Sequence, residues 1–173
     1  LFDLPTAYTV AVALQPHYYA HLKEHEMNSE SKVTESSSDE LQTQLVGTWR
    51  LISAEDFDSQ TGQWIPYTFG NPPCGYFFYD ATGHASIQIM TTPPQKIAIP
   101  DSPTPDEALA IYNGYIAYFG TYTVDEAYIY HQVEGAWDPS QVGSVQKRPY
   151  QLSGDQLIIG DQVTYKRVLE RVK

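Results

Sequence analysis

His131 is the side chain of this sequence best suited by type to move a proton or anchor a polar ligand, because its imidazole titrates near neutrality. It lies inside the run YIYHQVE, residues 128–134. Strand alternation places Ile129, His131 and Val133 on one face, and Tyr128, Tyr130, Gln132 and Glu134 on the other. Apolar neighbours on its own face predict that His131 points inward. A histidine so placed is a core residue with satisfied hydrogen bonds, a ligand anchor, or an acid/base group. Arg148 raises a related question. Gln146, Arg148, Tyr150 and Leu152 share one face of a strand candidate. An inward guanidinium needs a partner, since an unpaired buried charge is costly. It pairs with an internal carboxylate, or it holds a ligand carboxylate or enolate through a two-pronged hydrogen bond. Otherwise it is exposed.

Three further residues join these as ligand-binding candidates. Tyr118 and Tyr122 belong to a tyrosine cluster with Tyr112 and Tyr115, which is either core or the lining of one barrel mouth. Buried tyrosine hydroxyls seek polar partners. Gln88 alternates with Ser86 and Met90 on one face of the run HASIQIM. If that face lines the interior, Gln88 offers a donor and an acceptor; if Ile87 and Ile89 face inward instead, Gln88 is solvated. Nowhere does the chain carry a Gly-rich phosphate loop, a nucleophile elbow or a dinucleotide fingerprint. Cys74, the single cysteine, follows two prolines with no activating base nearby, so no residue beyond the candidate His131 is assigned a catalytic role. Early in the chain, His17, His21 and His25 would share one helical face and could ligate zinc or copper. No second shell accompanies them, and the expectation is no metal and no cofactor.

The elements that must position these residues are short strands. From Gln44 to Ser53 the chain reads as a long strand, followed by a turn at Asp58–Gly62 and a return over Gln63–Phe69 that Pro66 weakens. Gly75–Tyr79 and His84–Met90 form a hairpin around Asp80-Ala81-Thr82-Gly83. Thr104-Pro105-Asp106-Glu107 is a capping box with proline at the first helical position. It predicts a helix to about Tyr115 or Ile116, with Leu109, Ile111, Tyr112, Tyr115 and Ile116 on its apolar side. Strands resume at Gly120–Val124, Tyr128–Glu134, Ser144–Leu152, Gln156–Ile159 and Val163–Val172. Eight or nine strands and one short helix predict a mainly β fold. A closed antiparallel barrel removes the exposed sheet edges, and a barrel of this size has room for its own side chains or for one small ligand.

Order along the chain is uneven. Residues 28–40, NSESKVTESSSDE, bury too little apolar surface to offset the entropy of ordering. Residues 1–43 are therefore read as a flexible, disordered tail, and 44–173 as one domain. Met27 marks a candidate native start. Ala7–Leu14 is only faintly like a secretory signal, lacking a basic residue before it and a cleavage site after it. One thiol forms no internal disulfide, so a cytoplasmic location fits better than a secreted one. The net charge of −11 disfavours nucleic acid and anionic membranes as partners, and no apolar run is long enough to span a bilayer.

Several segments in order resemble the lipocalin-like domain family, a calycin-type barrel: LVGTWRLISAE, PYTFGNPPCGYFFYDATGHASIQIM, AYFGTYTVDE, HQVEGAW, QKRPYQLSGDQLII and RVLERV. The resemblance covers residues 45–173. It implies that Gly47 and Trp49 form the structural mark of the first strand, with Trp49 plugging one barrel end. It also implies that an arginine of the last strand covers that indole, Arg171 before Arg167. Leu169 departs from the pattern, where a tryptophan is expected. On this reading the domain binds a small hydrophobic molecule, with His131, Arg148 and Tyr122 fixing its polar end. A second reading is a cofactor-independent isomerase or cyclase using His131 for proton transfer. A third is a filled barrel serving as an interaction module. The oligomeric state is left open.

Overall fold

The computed structural model describes residues 38–173. The three tail histidines, Met27, the signal-like segment and residues 28–37 of the acidic run lie outside the described residues. Residues 38–45 form a short helix, α1. That helix occupies positions the sequence reading assigns to a disordered tail and to the start of the first strand. Its register explains the difference. Leu45 is fully buried and Leu41 packs against the core, so the spacing of four gives this segment an apolar stripe. The Ser38 hydroxyl donates to the Val124 carbonyl at 2.9 Å, tying α1 to the domain.

Nine strands follow: β1 Gly47–Asp58, β2 Gln63–Pro66, β3 Cys74–Tyr79, β4 His84–Met90, β5 Tyr115–Val124, β6 Tyr128–Ala136, β7 Val145–Ser153, β8 Gln156–Ile159 and β9 Tyr165–Arg171. Eight of them pair antiparallel in the order β1-β3-β4-β5-β6-β7-β8-β9, and β9 returns to β1. The barrel is closed, as expected. β2 is the extra strand, paired only with the far end of β1, and Pro66 ends it where the sequence expects a weak edge. Among the described residues no helix is long and apolar enough to cross a membrane.

Aspartates hold the hairpin turns. Oδ1 of Asp80 accepts the backbone N–H groups of Thr82 and His84, and Asp125 does the same for Ala127 and Tyr128. Asp161 accepts those of Val163, Thr164 and Tyr165, while Asp58 takes Gln60 N–H and the Thr61 hydroxyl. These bonds favour the carboxylate form and hold all four carboxyls below their usual range. Part of the acidic composition is thus turn structure.

The second helix, α2, spans Pro105–Asn113 with its capping box formed by Thr104 and Glu107. Glu107 also accepts Ala98 N–H at 2.9 Å, which fastens the preceding loop to the helix. Its expected apolar side is not a core face. None of its residues is buried, and Leu109 is 59% exposed. Gly114 ends the helix and Tyr115 already pairs with Met90 in the sheet, so Tyr115 and Ile116 belong to β5.

Register carries the alternation to the barrel interior. Phe77 and Tyr79, Ile87 and Ile89, Tyr118 and Tyr122, Ile129 and Val133, and Leu157 and Ile159 are all buried. Between β5 and β6 the register shifts at Phe119/Gly120, leaving Glu134 as the extra residue. Gly120 is required there: a Cβ would run into the Gln132 carbonyl. Opposite it, the Phe119 ring covers Gly135.

Candidate functional site

One barrel end is plugged. Trp49 is fully buried and its Nε1–H donates to the Leu45 carbonyl at 2.9 Å. The Arg171 guanidinium lies 4.1 Å from the indole centroid. It also donates to the Val46 carbonyl at 2.5 Å and to the Gln44 carbonyl at 2.6 Å. Gly47 stands at φ 144°, and a Cβ there would sit 2.6 Å from Arg171 Nη1, so only glycine admits this approach. Leu169, at the position where the sequence pattern expects tryptophan, is fully buried between Leu51 and Leu157.

Because β1 and β9 run antiparallel, Asp56 and Tyr165 pair at the opposite end from Trp49 and Arg171. A cavity of about 540 Å³ opens there. Its apolar wall is Phe77, Ile87, Ile89, Ile116 and Ile159, and its polar groups include Tyr118, His131, Arg148, Asp56, Arg167, Tyr67, Tyr165 and Thr164. An apolar wall with a few convergent polar groups is the usual build of a small-molecule site.

His131 is 2% exposed. Its Nε2 lies 3.0 Å from the Tyr79 hydroxyl and its Nδ1 lies 3.0 Å from the Tyr118 hydroxyl. Its ring also stacks on that of Tyr79, with centroids 5.7 Å apart. Burial first, and then the Arg148 charge, lower its pKa to about 3, so the imidazole is neutral at ordinary pH. Burial pushes the hydroxyls of Tyr79 and Tyr118 up, while Arg148 beside Tyr118 restrains the rise. Arg148 points inward and donates to Gln146 Oε1 at 2.7 Å; Gln146 in turn donates to the Ser144 hydroxyl at 2.9 Å. Among the described residues no carboxylate lies within ion-pairing distance of Arg148. Arg167, by contrast, meets Asp56 at 2.8 Å and stacks 4.1 Å over the Tyr67 ring.

Matching residues 46–170, a family model described as a lipocalin-like domain coincides with the closed barrel. The chain belongs to the lipocalin-like domain family. No sequence among the curated proteins matches it. In this lipocalin-like barrel Arg171 covers the plug tryptophan, whereas Arg167 lines the cavity.

Of the ligand-binding candidates, His131, Arg148 and Tyr118 come together at the cavity. Tyr122 does not. Its ring is buried against Tyr79 and its hydroxyl donates to the Asp80 carbonyl at 3.0 Å, an attachment of the β3–β4 turn. Burial and Asp80 push that hydroxyl up to about 12. Gln88 is exposed on the outer face, near the hydroxyls of Ser86 and Tyr115. The inward face of β4 is that of Ile87 and Ile89, the alternative that leaves Gln88 solvated. Tyr112 packs outside against Trp137, at 5.6 Å between centroids. Asp56 and Arg167 were not expected at the cavity, and Tyr79, buried behind it, was not expected as the partner of His131 Nε2. Tyr79 carried a usable signal, since GYFFY alternates and Tyr79 shares a face with Phe77. Among the described residues no cluster of His, Cys, Asp or Glu is placed to hold a metal ion.

Proposed function

We propose that this lipocalin-like domain binds one small, largely hydrophobic molecule in the barrel cavity, with its polar end at Tyr118 and Arg148, backed by His131. The single observation that carries this reading is the cavity of about 540 Å³ between an isoleucine-rich wall and that polar group. A recess at the barrel end that combines an apolar wall with convergent polar groups favours ligand binding over the interaction-module alternative. For an isomerase or cyclase, His131 would have to act as a base. With both ring nitrogens engaged and its pKa lowered to about 3, it is a weak base at neutral pH, and binding is the better-supported reading.

Nile red, an uncharged dye whose emission rises in apolar surroundings, tests it. The protein is expected to enhance Nile red emission saturably. Ile87→Trp, which places an indole in the cavity from β4, is expected to weaken the dye by about tenfold or more with far-UV circular dichroism unchanged. Equal affinity in the two proteins would refute binding inside the barrel.

A further inference from the structure

The hydrogens of the Tyr79–His131–Tyr118 chain can be assigned from burial alone. A neutral imidazole has one N–H and one bare nitrogen. Tyr79 is 2% exposed, and its hydroxyl has one partner among the described residues, Nε2 of His131. If Nε2 carried the hydrogen, the Tyr79 O–H would be left as a buried donor without an acceptor, which is costly. The Tyr79 O–H therefore donates to a bare Nε2, and the hydrogen of the ring sits on Nδ1. The Nδ1–H donates to the Tyr118 oxygen at 3.0 Å. With its oxygen accepting from His131 and lying beside the Arg148 guanidinium, Tyr118 keeps its own O–H as a donor for the cavity, which it lines.

Charge points the same way. The cavity holds two guanidiniums, Arg148 and Arg167, and one carboxylate, Asp56. Arg167 and Asp56 neutralise each other at 2.8 Å. Among the described residues Arg148 has only neutral partners, the Gln146 amide oxygen and the Tyr118 hydroxyl beside it. One positive charge remains at the inner wall of a protein whose net charge is −11. A partly buried guanidinium without an anion is an incomplete arrangement.

We propose that the molecule taken by this cavity carries an anionic oxygen, a carboxylate or an enolate, which pairs with Arg148 and accepts the Tyr118 O–H. His131 and Tyr79 are positioning residues: they aim the hydroxyl and do not touch the anion. This rests on the hydrophobic-ligand reading above and adds the ligand's charge to it.

Chain-matched and ring-matched pairs separate the two. Decanoate against decan-1-ol, and 2-naphthoate against 2-naphthylmethanol, are titrated as competitors of Nile red. The anion of at least one pair is expected to bind about tenfold or more tighter than its alcohol, as for a charge-assisted hydrogen bond in a partly dry site. Arg148→Met is expected to bring that ratio near one by weakening the anion far more than the alcohol, with far-UV circular dichroism unchanged from wild type. Tyr118→Phe is expected to reduce it in part. Long-range 15N–1H spectra are expected to show His131 protonated on Nδ1. Tyr79→Phe is expected to shift the ring towards the other tautomer and lower the anion preference while alcohol affinity holds, which a merely structural role would not do. Equal affinity of acid and alcohol in both pairs, a ratio retained in Arg148→Met, or an Nε2–H tautomer would each overturn the proposal. If Nile red still binds in those cases, the hydrophobic-ligand reading survives; if dye, acids and alcohols all fail to bind, both readings fall.

Discussion

Mild acid, above the range where the turn aspartates take up protons, should weaken this domain through the His131 imidazole, and the size of the effect follows from where His131 sits. In the unfolded chain a histidine has its ordinary value of 6.5; in the folded barrel burial and Arg148 bring it to about 3. Between those values the unfolded chain takes up a proton that the folded one refuses. The contribution of His131 is therefore complete above about pH 6.5 and declines as pH falls towards about 3, at about 1.4 kcal/mol per pH unit. Between about pH 8 and about pH 4.5 the loss is about 3 kcal/mol, a large share of the stability of an ordinary domain. The groups facing the ring are Tyr79 from β3, Tyr118 from β5 and Arg148 from β7, and burial pushes both tyrosine hydroxyls up, away from that interval. The measurement is urea unfolding of the wild type and His131→Gln across the interval, read by tryptophan fluorescence. Subtracting the variant removes the contribution of every other titrating group. The stability difference between the two proteins should shrink by about 3 kcal/mol as pH falls to about 4.5. A difference constant to within about 0.5 kcal/mol would mean that His131 titrates normally, and the buried relay would be wrong.

Two other outcomes probe the ends of the barrel. Arg171→Ala removes donors to two backbone carbonyls and the cation over Trp49; it should cost about 2–3 kcal/mol in urea unfolding, with Arg171→Lys recovering only part, and an unmoved midpoint would contradict the staple. Gln88→Ala and Tyr122→Phe should leave Nile red and decanoate affinities within about twofold of wild type, because neither side chain reaches the cavity; a larger loss in either would show that the cavity is assigned to the wrong face.

Local pattern was enough for the strands and for the direction of several side chains. YIYHQVE alternates cleanly, so a half-buried strand could bury Ile129, His131 and Val133 on only one face. The same logic put Arg148 on a face with Tyr150 and Leu152 but left open whether that face turns inward. At β4 the pattern was ambiguous, since Ser86, Gln88 and Met90 are as plausible a lining as Ala85, Ile87 and Ile89. Pairing with β3 and β5 decided it, by placing Ile87 opposite Phe77 and Tyr118. For α2 the periodicity was real but the burial was not: Leu109 and Tyr112 lie outside the barrel, because an apolar stripe says what can be covered and not what covers it.

From the sequence by itself came a strand pattern that favours a closed barrel and an inward histidine, both written in short-range spacing and residue type, and the family resemblance added the Gly47–Trp49–Arg171 plug. Only the tertiary structure decided which groups meet. Tyr79 reaches His131 across 52 positions, and Arg167 reaches Asp56 across 111. Those meetings depend on strand register around a full turn of the barrel, and among the described residues they leave Arg148 without a carboxylate and His131 without a free nitrogen. Charge pairing and proton position are properties of neighbours in space, which alternation along one strand does not encode.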